Sequence, residues 1–164
     1  MLPISAKEAE IPRTLPARSR VIQGVVLILL CASAAQAQLG QPVQGPAQRR
    51  ESLHLEKSET RAANGYRYNV MSSDNLVVKE YIHPGTNAIF GVTWKGKRMP
   101  SLQALLGFDP YKISGPGVSR TLHTAQFGTD SLSVAIVAFK GRYEGRVVRI
   151  DLLPQGVSPS VVTP

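Results

Sequence analysis

A single cysteine, Cys31, serves the whole 164-residue chain, and it lies inside an apolar run. No disulfide can therefore staple anything downstream, so whatever folds must close a hydrophobic core unaided. The run covers residues 21–37, stands behind Arg18 and Arg20, and ends on Ala35-Gln36-Ala37. A basic flank, a short apolar centre and small residues at alternate positions form the pattern of a secretory signal peptide, here cut between Ala37 and Gln38. Its centre, residues 25–32, falls short of the roughly 20 residues needed to cross a bilayer core. The expectation is a periplasmic, envelope-associated or secreted protein with no transmembrane helix in its mature form. Glu8 and Glu10 are foreign to such a leader and suit a true start further along the chain. Acylation of Cys31 would require a small residue before it; Leu30 occupies that place, so Cys31 reads as apolar filler.

Cleavage there leaves 127 residues carrying 15 Lys and Arg against 9 Asp and Glu, a net charge of +6. This excess favours anionic neighbours such as lipid headgroups or polysaccharide, and outside the cytoplasm nucleic acid is the less available anion. The length suits one domain. Four segments are expected: the signal peptide (1–37), a flexible polar and basic stretch (38–63), one β-rich domain (64–153) and a flexible tail (154–164). The second is punctured by Gly40, Pro42, Gly45 and Pro46, and reads as coil or a weak surface helix.

From Tyr66 the pattern takes the period of a half-buried strand, with Tyr66, Tyr68 and Val70 on one side. A turn at 72–75 leads to a second strand over 76–82, where Glu80 interrupts an apolar side and marks a bulge or an edge. A third strand over 88–94 places Ala88, Phe90, Val92 and Trp94 on a common face. Helical spacing follows in Met99, Leu102, Leu105 and Leu106, capped by Ser101 and stopped by Gly107. Residues 108–119 read as loop, and 122–127 as a further strand. The apolar run over 131–139 predicts a strand buried on both faces and hence central. Lys140-Gly141 turns into a last strand over 142–152. The expected architecture is α+β and mostly β: a single antiparallel sheet of about five to six strands with one short helix packed on it.

The stretch from Glu80-Tyr81-Ile82 through Ala88-Ile89-Phe90-Gly91-Val92-Thr93-Trp94-Lys95-Gly96 to Met99-Pro100-Ser101-Leu102 and Leu105-Leu106-Gly107 resembles an exported Gram-negative family. It is the domain-of-unknown-function family numbered twenty-eight forty-four in that series. Gln38-Leu39-Gly40 is similar to the family's mature start, and Leu153-Pro154-Gln155-Gly156-Val157 to its ending. Lys97 stands where a proline is common in the family, and Ser101 where an aspartate is common. The resemblance implies a compartment and a fold, and no activity, cofactor or partner.

Candidate chemistry is sparse. His54, His83 and His123 have no partner at metal-ligand spacing, which points to no metal and no cofactor. A hydrolytic site could be drawn from His83 or His123 with Asp74, Asp109 or Asp130 and Ser119 or Ser131. No G-x-S-x-G elbow supports it, because Gly117-Val118-Ser119 runs on into Arg120 and Thr121. Glu80 would carry a raised pKa if buried alone, and a neighbouring Tyr66, Tyr68 or Arg67 is the plainer account. The best binding candidate is Lys95, Lys97 and Arg98 around Gly96 beside Trp94, three cations and an indole suited to an anionic headgroup or sugar. The opposing reading is a solvated turn with Trp94 turned inward. The sequence therefore favours a non-enzymatic interaction or structural accessory domain that meets a protein or envelope component. The alternatives are a small envelope hydrolase on His83 or His123 with Asp109 or Asp130, and an anion-binding module on Lys95, Lys97 and Arg98.

Overall fold

The structure, a computed structural model, describes residues 39–115 and 117–164; the expected signal peptide and the Ala37–Gln38 junction lie outside them. Eight strands run in chain order: β1 (Lys57–Ala63), β2 (Tyr66–Ser73), β3 (Leu76–Ile82), β4 (Ile89–Gly96), β5 (Ser119–Arg120), β6 (Thr124–Gly128), β7 (Leu132–Phe139) and β8 (Arg142–Arg149). Among the described residues two short helices, α1 (Pro46–Ser52) and α2 (Leu102–Leu106), complete the regular elements apart from three single 3-10 turns. All eight strands form one antiparallel sheet in the order β1-β2-β3-β4-β8-β7-β6-β5. The expected count of five to six strands is thus corrected to eight, and one helix becomes two. The extra strands are β1, from the segment expected to be flexible, and the two-residue β5, at the end of the loop read over 108–119.

Cross-strand partners share a face, so the register sorts the core into rows. On one face the row Met71, Val78, Trp94, Gly145, Ile136 and Ala125 crosses six strands. Leu39, Leu53, Leu55 and the α2 residues Leu102, Leu105 and Leu106 cover this face and join its core. Helix α2 is capped as the spacing predicts: Ser101 Oγ accepts from the Ala104 N–H, and Gly107 ends the helix at φ +83°. With barely more than one turn it has no stability of its own, and its buried leucines hold it to the sheet.

The opposite face carries a second, smaller core of Tyr81, Phe90, Val148 and Val162, with Tyr66, Tyr68 and Val157 packed against it. Phe90 therefore does not share a face with Val92 and Trp94. A register shift pairs Tyr81 with Gly91 but Ile82 with Ile89, and this bulge turns Phe90 over. The bulge lies one strand away from Glu80, the residue that suggested one.

The segments expected to be flexible are packed. Residues 57–63 pair along their whole length with β2, and Arg49 in α1 is buried. The tail returns over β3, β4 and β8: the Thr163 carbonyl accepts from the Tyr81 hydroxyl at 2.9 Å and from Thr93 Oγ1 at 3.2 Å. Arg146 donates to the Pro159 carbonyl at 2.6 Å. Val162 is fully buried and rests on Gly91, where a Cβ would come within 2.8 Å of it. Strand β7, expected to be central and buried on both faces, lies inside the sheet between β8 and β6 but is covered on one face only, and its Val137 and Phe139 are 39% and 47% exposed. The tail crosses β3, β4 and β8 and leaves the second face of β7 open, so β4 is the strand buried on both faces from Ile89 to Trp94.

Candidate functional site

Trp94, Lys95, Lys97 and Arg98 part company at the end of β4. Strand alternation sends Trp94 inward, where it is 1% exposed and packs flat over Gly145 of β8. A Cβ at residue 145 would fall 1.9 Å from the indole, so the glycine that weakens β8 is what admits the tryptophan. Its ring is core and offers no stacking surface to a ligand. Lys95 points to the opposite face and pairs with Glu144 of β8 at 2.8 Å, a carboxylate that also takes Arg142 at 2.9 Å. These two cations hold the Glu144 carboxyl below its ordinary range. Lys97 is exposed and bonded through its backbone N–H to the Asn75 carbonyl. Arg98 borders a cleft of about 340 Å³ shared with His54 and Ser101. The four residues thus form no single binding surface.

The histidines are separated by the sheet itself. His83 lies in the β3–β4 turn, where its Nδ1 accepts from the Gly85 and Thr86 N–H groups at 3.0 and 3.2 Å. His123 precedes β6 at the other end of the strands, with its Nδ1 3.1 Å from the Ala138 carbonyl and its ring edge-on to Phe139. His54 follows α1 in a left-handed conformation at φ +53°. Asp109 caps the 3-10 turn Pro110–Lys112 by accepting from the Tyr111 N–H. Asp130 sits in the β6–β7 turn, at the end of the sheet away from His123. Among the described residues no hydrogen bond or ion pair joins His83 or His123 to Asp109 or Asp130. Among the described residues no group of three or more His, Cys, Asp or Glu side chains converges on a metal position.

The charged constellation that does form was legible only by half. Glu80 is fully buried under the helices, and its Oε1 accepts from Arg49 Nε at 2.6 Å. Arg49 also donates to the Ala104 and Leu105 carbonyls at the end of α2, at 3.1 and 2.8 Å. Burial pushes the Glu80 carboxyl up, and Arg49 and Asn69 pull it back. The sequence offers Tyr66, Tyr68 or Arg67 as neighbours for Glu80, whereas its ion-pair partner is 31 residues away, in the segment expected to be flexible. The one signal for it was a pair of arginines, Arg49 and Arg50, beside leucines at 53 and 55 in an otherwise polar stretch. This pair clamps α1, α2 and β3 together and has no access to solvent.

The remaining surface of note is the uncovered half of the second face. Val77, Val137 and Phe139 are exposed there, flanked by Lys95, Arg142 and Lys140, the last lying over the Phe139 ring at 5.2 Å. Among the described residues no helix is long and apolar enough to cross a membrane.

Together these features define a single-sheet antiparallel β domain, sealed by helices on one face and half-covered by its own tail on the other. The family described as "Protein of unknown function (DUF2844)" matches residues 35–162, and the chain belongs to it. No curated protein and no solved structure matches the chain.

Proposed function

We propose that this protein is a small exported domain, periplasmic or envelope-associated, that acts by contact and not by catalysis. The leader-like pattern over residues 1–37 supports export. The observation that carries the contact reading is the open half of the second sheet face. Val137 and Phe139 stay in water on a rigid, paired strand although the same chain buries the equivalent face of β4. Apolar residues grouped on an ordered surface and rimmed by cations mark an interaction patch. The histidines are committed to turn and strand-end contacts at separate places, which supports the same reading. The partner is a protein or another envelope component.

The test is photo-crosslinking in intact producing cells, with the probe residue at position 137 or 139 and a control probe at exposed Glu56. One discrete adduct at 137 and 139, absent at 56, is expected, with mass spectrometry locating the mature N-terminus at Gln38. Turnover of an ester, peptide or glycoside substrate that is lost in His83→Ala or His123→Ala would overturn the reading.

A further inference from the structure

On the second face, at the opposite side of the sheet from β7, three tyrosines gather in one place. Tyr68 of β2 lies directly across from Arg61 of β1 and from Tyr81 of β3, and Lys79 stands one row further along β3. The Tyr68 and Tyr81 rings stack at 5.7 Å, and Tyr66 sits 6.2 and 5.9 Å from them. Phe90 meets Tyr66 edge-on from below at 6.1 Å. The three tyrosine rings, with Arg61, Lys79 and Thr163, line a cleft of about 230 Å³ between the β1–β2 hairpin and the tail.

The parts of this cleft are fixed by different means. Tyr81 is buried, and its hydroxyl both donates to the Thr163 carbonyl and accepts from the Thr163 N–H, so it anchors the floor. Lys79 Nζ reaches the same carbonyl at 3.2 Å with hydrogen-bonding capacity left over. Arg61 pairs at 2.8 Å with Glu59 on its own strand, both largely exposed, an arrangement that water and a competing anion readily exchange. Burial keeps the Tyr66 phenol above its ordinary pKa, so it is a neutral hydroxyl at physiological pH.

We infer that the cleft formed by Tyr66, Tyr68, Arg61 and Lys79 is a binding subsite for an acidic saccharide of the hexuronic type. Flat phenol rings offer an apolar platform to the C–H face of a pyranose, and their hydroxyls suit its polar edge. Arg61 supplies a planar fork for a carboxylate, and Lys79 a second cation. A simple anion would not need the rings, and a greasy ligand would not need the cations. The volume lies below the roughly 300–1,000 Å³ of sites for drug-sized molecules, so one sugar ring is the unit recognised. The site shares no residue with the Lys95, Lys97 and Arg98 group or with the Val137–Phe139 surface, and it stands or falls separately from the contact reading above.

Calorimetric titration of the protein, purified as its producing cells make it, with trigalacturonate and with its uncharged methyl ester tests the inference. Saturable binding of the acid is expected, weakened by salt, with the ester about tenfold poorer. Tyr68→Ala and Arg61→Gln are each expected to cost about tenfold, while Lys97→Gln leaves binding unchanged. Arg61 is exposed, so its replacement reports on the ligand even if Tyr68→Ala disturbs the fold. Absence of saturation, equal affinity for acid and ester, or full binding by Arg61→Gln would each overturn it.

Discussion

A carboxylate at the middle of a covered sheet face is costly to bury unless another charge meets it, and Glu80 is met by Arg49. Removing one partner strands the other, so Arg49→Ala is expected to lose about 3–5 kcal/mol in urea unfolding, while Arg49→Met with Glu80→Leu stays near the parent. The pH dependence has a definite sign. Burial raises the folded-state pKa of Glu80 above its ordinary 4.5, so its contribution is complete below that value and is lost as pH rises through the folded pKa. Arg49→Ala removes the opposing pull, so its stability should fall more steeply with rising pH than the parent's. Glu144 behaves in the opposite sense. Lys95 and Arg142 lower its pKa, so its contribution is present above the ordinary 4.5 and fades as pH falls through the folded value. Carboxyl NMR of Lys95→Gln should show the Glu144 titration moving upward toward that ordinary value; an unmoved curve would mean that Arg142 alone holds it.

At the scale of elements, two close approaches fix how strands and tail fit. Gly145 admits the Trp94 indole, and Gly145→Ala must displace a fully buried ring, an overpacking expected to cost about 1–3 kcal/mol with a changed near-UV tryptophan signal. Val162 closes the second core over Gly91, and Val162→Ala should cost about 1–2 kcal/mol and speed amide exchange in the tail before the sheet. Much of this was readable in advance. Strands β2, β3 and β4, the cap and stop of α2, and the Lys140-Gly141 turn follow from alternation and turn chemistry. Strand β1 was hidden because an edge strand with charges on one side and Ser, Thr and Ala on the other shows no apolar period. The Asn64-Gly65 pair between two such segments was its one local sign. The tail misled differently. Its prolines do exclude strands, but Val157 and Val162 are enough to pack it across the sheet, and only the tertiary register shows that Gly91 leaves room. The site was hardest to foresee for the same reason: Tyr81 comes 13 residues after Tyr68 in sequence, and nothing in that spacing says that Arg61 lies across from Tyr68.

At the scale of the whole molecule, an eight-stranded open sheet leaves two edges, and they are not alike. One ends in β5, two residues long and too short to template another strand. The other is β1, seven residues long, whose only strand neighbour among the described residues is β2. An edge of that length invites pairing with a second copy unless its side chains forbid it. Lys57, Glu59 and Arg61 occupy alternate positions along it and project to the same face. In an antiparallel pairing of two copies, a register that opposes like charges is penalised, while the full desolvation of three long charged side chains taxes every register. Replacing Lys57 and Glu59 by threonine cuts that tax to the one charge of Arg61 and raises β-propensity, yet touches no buried contact, since both positions are exposed. The double variant is therefore expected to unfold within about 0.5 kcal/mol of the parent. It is also expected to self-associate with rising concentration in light scattering, whereas the parent does not. A variant that remains monomeric at every concentration tested would show that the twist of the sheet or the contact of α1 with β1, and not these charges, keeps the edge from pairing.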